Sequence, residues 1–498
     1  MDRSLGIISV FDKEGIVDFC SSISSHYRFI STGKTATILK AAKIDVDLVS
    51  SFTGYPEILD GRVKTLHPKI LGGILGTDQQ QDEMDKFEIL PIDLVVVNLY
   101  PFEQVTSRPH SLADAIENID IGGVTLLRAA AKNYNKVIVV SSPEDYDSVA
   151  EAITMNEVSE ELRKSLAKKA FLHTAKYDVM ISHYLSSDDG FPSDYLLSFE
   201  RPQNLRYGEN LHQEARYYLL HGHAPFYTQI HGKDVSYNNL VDFYAAIGVL
   251  SELTKPSCAI IKHTSPCGVA SAEDIETAFD HAFATDNLSA FGSVMGFNRP
   301  ITKELAEKLH AMFVDAIIAP EYEELALKTL KKKSKLILCT LNEYSIPDQS
   351  IRLVPNGVLV QTSDKHILSK EDVTVVSKKK PSSTDVEELL FAWKIVKYAK
   401  SNAAVISKEA RTLGIGMGQT SRIGAVELAL MRAGHRAEGA VMASDAFFPY
   451  RDSIDAAVEK GIRAVIAPGG SIRDNESIIA ADEAGIVFVW SKVRAFLH

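Results

Sequence analysis

A chain of 498 residues, 45% hydrophobic and 24% charged, has the composition of a soluble globular protein and is too long for a single hydrophobic core. Its net charge of −12 excludes a general nucleic-acid or membrane-surface binder, so any anionic ligand must meet a local cluster of cations. The four cysteines, Cys20, Cys258, Cys267 and Cys339, form no Cys-x-x-Cys pair and read as free buried thiols of a reducing compartment. Met1-Asp2-Arg3 runs almost directly into a strand, and no run approaches the ~18 apolar residues of a membrane span. The expected location is the cytoplasm.

In chain order, Leu5 to Phe11 reads as a buried strand, after which Asp12 can cap a helix carrying Ile16, Phe19, Cys20 and Ile23 at helical spacing. Tyr27 to Ser31 is a second strand, followed by the turn Thr32-Gly33-Lys34-Thr35 and a helix from Ala36 to Ala42. Val46 to Ser50 is expected as a third strand, Ile92 to Leu99 as the strongest, and Lys136 to Ser141 as another. A long helical stretch from Val158 to Leu185 closes this part. Strands alternating with helices predict an α/β domain with a parallel sheet covered on both faces.

Candidate ligand groups fall at the strand-to-helix junctions, where open α/β sheets bind ligands. Ser9, Asp12 and Lys13 follow the first strand, Ser31, Thr32, Gly33 and Thr35 the second, and Tyr100 the strong one. Gly122-Gly123 opens a helix that carries Arg128 and Lys132. The stretch Asp60-Gly61-Arg62-Val63-Lys64-Thr65-Leu66-His67-Pro68 concentrates three potential cations between a glycine and a proline. If that stretch is extended, Arg62 and Lys64 point the same way and can share one anion, whereas His67 joins them only through a bend. Taken singly, Ser31 and Thr35 read as ordinary caps and Lys132 as a snorkelling lysine; their shared edge favours a site.

The stretch from Asp60 to Pro68, with Asn98-Leu99-Tyr100-Pro101-Phe102 and Glu117-Asn118-Ile119-Asp120-Ile121-Gly122-Gly123, resembles a known family. It is that of the bifunctional purine-biosynthesis enzymes, which combine phosphoribosylaminoimidazolecarboxamide (AICAR) formyltransferase with inosine monophosphate (IMP) cyclohydrolase. The resemblance continues to the last residues of the chain. It implies a methylglyoxal-synthase-like cyclohydrolase domain over residues 1–190. In that domain Ser9, Asp12, Lys13, Ser31, Thr32, Gly33, Thr35, Arg62, Lys64 and Thr65 would hold the nucleotide, chiefly its phosphate. Lys64, Tyr100, Asp120 and Lys132 would surround the reacting atoms. Two positions depart from the family pattern: Phe11 replaces the second serine of Ser-Val-Ser-Asp-Lys, and Lys34 replaces the second glycine of Ser-Thr-Gly-Gly-Thr-Ala. Lysine at a positive-φ position would be strained.

Asp188-Asp189-Gly190-Phe191-Pro192-Ser193 is a polar, turn-rich break, so a second domain is expected over residues 191–498. It contains an internal repeat. Gly292-Ser293-Val294-Met295-Gly296 precedes Pro320 by 28 residues, counted from Gly292, and Gly439-Ala440-Val441-Met442-Ala443 precedes Pro468 by 29, counted from Gly439. A strand ends at Lys262, 58 residues before Pro320, and another at Lys408, 60 residues before Pro468. Two copies argue a duplicated α/β unit, roughly 200–345 and 346–498, rather than a solenoid. The family has such a pair, similar to cytidine deaminase, although the deaminase zinc-ligand set is missing here.

Ile260-Ile261-Lys262-His263-Thr264-Ser265-Pro266-Cys267-Gly268 ends a strand in Lys-His before a tight turn, an arrangement suited to acid–base work. By resemblance, Lys262 and His263 are the catalytic pair of the formyltransferase and Asn402 lies near the transferred formyl group. Arg206, Tyr207, Asn239, Asp315 and Arg494 match nucleotide-binding positions, and Phe447 and Asp452 match the folate pocket. One of Phe447 and Phe448 is expected in the core, and the runs Lys331–Lys333 and Lys378–Lys380 as solvated lysines. Leu211 stands where the family has proline, which changes loop stiffness more than chemistry. The resemblance implies 10-formyltetrahydrofolate as cosubstrate, AICAR and its formylated product (FAICAR) as small-molecule partners, and a homodimer with formyltransferase sites at its interface. No metal is required, and a monovalent cation is left open. The alternatives are a nucleotide-sensing protein without turnover, or an enzyme with only the formyltransferase alive, motivated by Phe11 and Lys34.

Overall fold

The computed structural model describes residues 3–186 and 190–498, and the chain divides into two compact units, Met1–Ser198 and Phe199–His498. The sequence break at Asp188-Asp189 lies outside the described residues.

In the first unit β1 (Ser4–Val10), β2 (Tyr27–Ser31), β3 (Val46–Leu48), β4 (Leu94–Asn98) and β5 (Ile138–Val140) form one sheet in the order β3-β2-β1-β4-β5. Every pairing is parallel, so all five strands end on the same edge. Leu94–Val97 of β4 and Ile138–Val140 of β5 are continuous apolar runs, as a sheet covered by helices on both faces requires; Ile7, Ile8, Val95 and Val96 are at most 1% exposed. Burial of each such side chain contributes about 1.5–3 kcal/mol. The long helix Glu160–Leu185 starts at Ser159, whose hydroxyl accepts from the Leu162 N–H.

Two local expectations change. The third strand stops at Leu48 and the chain turns into the short helix Val49–Thr53, because β3 is an edge strand with nothing beyond it to hold an extended backbone. Asp12 caps no helix: its Oδ1 accepts from the Glu14 N–H at 3.0 Å, and the helix Ile16–Ser22 starts after Gly15 in a left-handed conformation. The apolar face still buries Ile16, Phe19, Cys20 and Ile23 as the spacing predicts.

The second unit carries β6 (Phe199–Asn204), β7 (Arg216–Leu220), β8 (Tyr227–His231), β9 (Ser257–Lys262), β10 (Ser265–Ser271), β11 (Val294–Phe297), β12 (Ala316–Ala319) and β13 (Ile337–Leu341). It continues through β14 (Gln349–Val354), β15 (Gly357–Thr362), β16 (Thr374–Val375), β17 (Ala404–Lys408), β18 (Arg411–Gly416), β19 (Val441–Ser444), β20 (Ala464–Ala467) and β21 (Val487–Trp490). Twelve of them make one sheet, β16-β21-β20-β19-β17-β18-β10-β9-β11-β12-β13-β8. This order reads as two copies of one unit joined at the antiparallel β10–β18 contact. In each copy a capped helix leads to a tight hairpin (β9–β10 or β17–β18), after which the remaining strands run parallel: β11, β12 and β13, or β19, β20 and β21. The helices are Tyr237–Ser251 and Ser383–Val396, each with a serine capping box. The duplication expected from the glycine and proline spacings is therefore present in the sheet.

The antiparallel junction has a consequence for function. The hairpin turn of the first copy lies on the same sheet edge as the carboxyl ends of β19, β20 and β21 of the second. Residues from both copies thus meet on one edge.

Three cysteines are buried and Cys267 is half-buried, all as free thiols. Among the described residues no helix is long and apolar enough to cross a membrane, and no three His, Cys, Asp or Glu side chains gather to hold a metal.

Candidate active sites

In the first unit the carboxyl-end loops of the parallel strands bring Lys64, Thr65, Tyr100 and Asp120 together. Gly123 makes this possible: a Cβ there would lie 2.6 Å from Asp120 Oδ2 and 2.9 Å from Leu99 Cδ2. The Gly123 N–H donates to Asp120 Oδ1 at 2.7 Å, and Tyr177 from the long helix accepts from the Asp120 N–H at 2.8 Å. Burial pushes the Asp120 carboxyl above its ordinary value, while the backbone N–H groups of Gly123 and Tyr100 and the charge of Lys64 pull it back down. The Tyr100 phenol is likewise raised, by burial first and then by Asp120. A carboxylate, a phenol and an ammonium therefore share one partly desolvated place. Thr65 is buried, with Oγ1 3.0 Å from where a Gly122 Cβ would stand.

The remaining predicted residues divide. Ser31 and Thr35 are buried and spend their hydroxyl protons on β1, donating to the carbonyls of Ile8 (2.7 Å) and Val10 (3.1 Å). Thr32 precedes the helix Gly33–Ala41 with no side-chain capping bond, so the first-turn N–H groups remain for an anion. Lys13 folds back, its ammonium donating to the carbonyls of Val10 and Phe11. Ser9 sits half-buried in β1, and Asp12 and Lys13 line a cleft of about 760 Å³ that opens between the loops after β1, β4 and β5.

The loop from Asp60 to Pro68 is not extended. Leu59, Asp60 and Gly61 all have φ between 52° and 85°, and Arg62 is helical at φ −67°. Arg62 is thereby turned outward to pair with Glu117, while Lys64 faces Asp120. His67 does not join them. Its Nδ1 accepts from the Lys69 N–H at 3.1 Å and caps the helix Pro68–Leu75. Lys132 is not brought to Asp120 either. It ends the helix Gly122–Lys132, about 15 Å along the axis from Gly122, and lines a separate cleft with Leu71, Leu75 and Phe171.

Lys34 lies in the first turn of the helix Gly33–Ala41 with an ordinary negative φ, so its replacement of glycine carries no backbone strain. Phe11 is half-exposed, packs edge-on against Tyr100 with ring centroids 5.6 Å apart, and donates its N–H to Asn98 Oδ1 at 2.5 Å.

In the second unit the β9–β10 turn presents Lys262 and His263. Both turn residues, His263 (φ 53°) and Thr264 (φ 61°), are left-handed. That conformation costs roughly 1–2 kcal/mol per non-glycine residue, and for a β-branched threonine it is an outlier. Asp242, on the helix Tyr237–Ser251, accepts from the Thr264 N–H at 2.6 Å. Lys262 Nζ donates to the Phe291 carbonyl at 2.9 Å, and exposed Phe291 stacks on Phe313 with centroids 4.9 Å apart.

On the same edge both Asp315 oxygens are engaged, by Lys233 Nζ (2.6 Å) and Asn239 Nδ2 (2.8 Å). The Arg206–Tyr207 segment is tied to this helix start through Arg206 N–H to Val235 O (3.0 Å) and Tyr237 N–H to Tyr207 O (3.1 Å). The Arg206 guanidinium lies 4.7 Å from the Tyr207 ring. Four of the five predicted nucleotide residues, all but Arg494, are thus linked around one helix start. Lys233 pairs with Asp315 there, and Asp242, Phe291 and Phe313 flank the Lys262–His263 turn; none of these four carries a local motif that would have marked it.

Asn402, from the second copy, is held by a buried ion pair. Arg422 Nη2 donates to Asn402 Oδ1 at 2.7 Å, and Arg422 pairs with Asp445, which is 0% exposed. Asp445 also accepts from Ser401 Oγ (2.6 Å) and the Ala403 N–H (2.9 Å), and the Ala495 N–H donates to its carbonyl (2.9 Å), which brings in the segment with Arg494. Asn402 stands on the edge of the Lys262–His263 turn, with β18 and β10 between, roughly 14 Å away at three strand spacings. Phe447 and Asp452 follow β19 on that edge; Phe447 is 40% exposed and Phe448 is the core residue at 1%. Asp445→Ala is expected to destabilise this unit by about 3–5 kcal/mol in urea unfolding, because it strands the Arg422 charge.

Each unit therefore carries its own cluster of acid–base and anion-holding groups, which defines a bifunctional enzyme of the α/β class. The chain belongs to the AICARFT/IMPCHase bienzyme family, which matches residues 130–432, and an MGS-like domain matches residues 15–125. Proteins described as bifunctional purine biosynthesis protein PurH are similar along the full length. Those of Oceanobacillus iheyensis and a Thermoanaerobacter species are 45% identical over 99% of both chains, and that of Bacillus cereus is 44% identical over 100% of both. The protein is a purine-biosynthesis enzyme with AICAR formyltransferase and IMP cyclohydrolase activities.

Proposed function

We propose that the two activities are divided between the two units, with ring closure in Met1–Ser198 and formyl transfer in Phe199–His498. In the second unit His263 takes the proton of the exocyclic amine of AICAR as that amine attacks the formyl carbon of 10-formyltetrahydrofolate. Lys262 and Asn402 stabilise the tetrahedral oxyanion or assist the departing folate nitrogen. Arg206, Tyr207, Asn239, Asp315 and Arg494 hold the nucleotide, and Phe447 and Asp452 line the folate side. In the first unit Asp120 orients or deprotonates the carboxamide nitrogen of FAICAR. Lys64 and Tyr100 stabilise the oxyanion and deliver a proton to the hydroxyl that leaves as water. Holding both groups of one molecule in register supplies much of the rate. The first-turn N–H groups after Thr32 take the phosphate, and Lys13 joins them by releasing the carbonyls of Val10 and Phe11.

The observation that carries this reading is the convergence of Lys64, Tyr100 and Asp120 in one unit and, in the other, of the Lys262–His263 turn and Asp315 on either side of Asp242. Assays on the whole protein test it: IMP formed from supplied FAICAR reports the first site, and consumption of 10-formyltetrahydrofolate with AICAR reports the second. A soak in which FAICAR bound only in the second unit would overturn the division. The protein works in the cytoplasm as a homodimer. Sedimentation at micromolar concentration is expected to show a dimer, and a monomer with full formyl transfer would contradict it.

A further inference from the structure

We infer that Asp242 is a positioning residue for formyl transfer, holding the left-handed His263–Thr264 turn so that the imidazole stands over the nucleotide group. The inference rests on the reading of His263 as the general base. His263 is exposed at the tip of a two-residue hairpin, a place where an imidazole has few contacts of its own to aim it. Type I′ hairpin turns of this kind favour Asn-Gly, whereas here both positions with positive φ carry Cβ atoms. A turn of unfavoured residues keeps one conformation only if its surroundings over-determine it. Asp242 does so from beneath: it is 9% exposed, accepts from the Thr264 N–H at 2.6 Å, and sits within reach of the His263 N–H and imidazole.

Asp242 is also placed with respect to the substrate side. It lies one helical turn beyond Asn239, whose amide donates to Asp315 at 2.8 Å. One rigid helix therefore carries both the residue that sets the turn and a residue of the nucleotide group.

The second copy of the repeat separates scaffold from chemistry. There Glu388, on the equivalent helix, accepts from the Ala410 N–H at 2.9 Å, and Glu409 (φ 56°) and Ala410 (φ 51°) form the same left-handed turn. In both copies the carboxylate precedes its N–H partner by 22 residues. The carboxylate-held turn is thus a device of the duplicated unit, and only the first copy bears a histidine on it. Because β10 and β18 run antiparallel, the Glu409 turn lies on the opposite sheet edge from His263. Removing Glu388 consequently disturbs a like-built turn far from the reacting atoms, which makes it a matched control.

The test uses full-length Asp242→Ala, Asp242→Asn, Glu388→Ala and the double variant Asp242→Ala/Thr264→Gly. Formyl-transfer kcat and the KM for AICAR are measured, with cyclohydrolase turnover on the same preparations as a folding control. Asp242→Ala is expected to lower kcat by about 10- to 100-fold, the effect of misplacing a catalytic group by about 1 Å, with a much smaller change in KM. Asp242→Asn keeps an acceptor oxygen for the Thr264 N–H and is expected to retain most of kcat. Glycine takes positive φ without strain, so the double variant is expected to recover much of the loss and to fold even if the single one does not. Glu388→Ala should leave kcat unchanged. Normal kcat in Asp242→Ala, an equal loss in Glu388→Ala, a dead Asp242→Asn, or no recovery in the double variant would each overturn the inference. His263→Ala run in parallel separates the two readings: if it stays active, the base assignment fails whatever Asp242 does.

Discussion

His263→Ala is expected to lose about 10²–10⁴ in formyl-transfer kcat, the range of a positioned general base, with little change in nucleotide affinity. The split follows from the geometry. His263 lies on the exposed turn, whereas the residues proposed to hold the nucleotide, Arg206, Tyr207, Asn239 and Asp315, are bonded to one another or to the start of the same helix. Cyclohydrolase turnover of the same preparation checks the intact chain, and a urea unfolding curve checks the folding of the mutated unit. Lys262→Ala also loses turnover, but the two losses do not add when both groups serve one transition state. Near-normal turnover of His263→Ala on saturating substrates would leave it a structural histidine and move the base elsewhere.

Ring closure should respond to a different pair. Lys64→Ala and Asp120→Ala are each expected to lower IMP formation from FAICAR by about 10²–10³ or more, while formyl transfer stays near normal. Asp120 is half-buried and bonded to the Gly123 N–H, so replacing it removes both the carboxylate proposed as catalytic and a backbone partner. Asp120→Asn is the sharper variant, because an amide oxygen keeps the Gly123 bond and removes only the charge. A melting temperature unchanged in Asp120→Asn with ring closure lost would assign the loss to chemistry. Loss of both activities in a well-folded variant would show that the division between units is wrong.

The motifs with long-range meaning were legible in the chain itself. Apolar runs at Ile7–Val10 and Leu94–Val97 define parallel strands whatever surrounds them, because a sheet buried on both faces needs continuous hydrophobicity. The Gly292/Pro320 and Gly439/Pro468 spacings disclosed the duplication, since each unit repeats the same turns at the same distances. Lys262-His263 stood out as a strand-end pair before a turn. What the sequence could not give was the partner of each polar group. The residue types of Ser31, Thr35 and His67 do not reveal that the two hydroxyls reach the carbonyls of Ile8 and Val10 or that the imidazole caps the next helix. Lys132 lies 12 residues from Asp120 in sequence, but helix rise carries it to the far end of the element. Asp242 lies on a different element from the turn it holds, 22 residues away from Thr264, and Arg422 and Asp445 flank Asn402 from two further elements. Each of these contacts joins separate elements of one copy that the fold packs side by side, and no local pattern encodes that meeting.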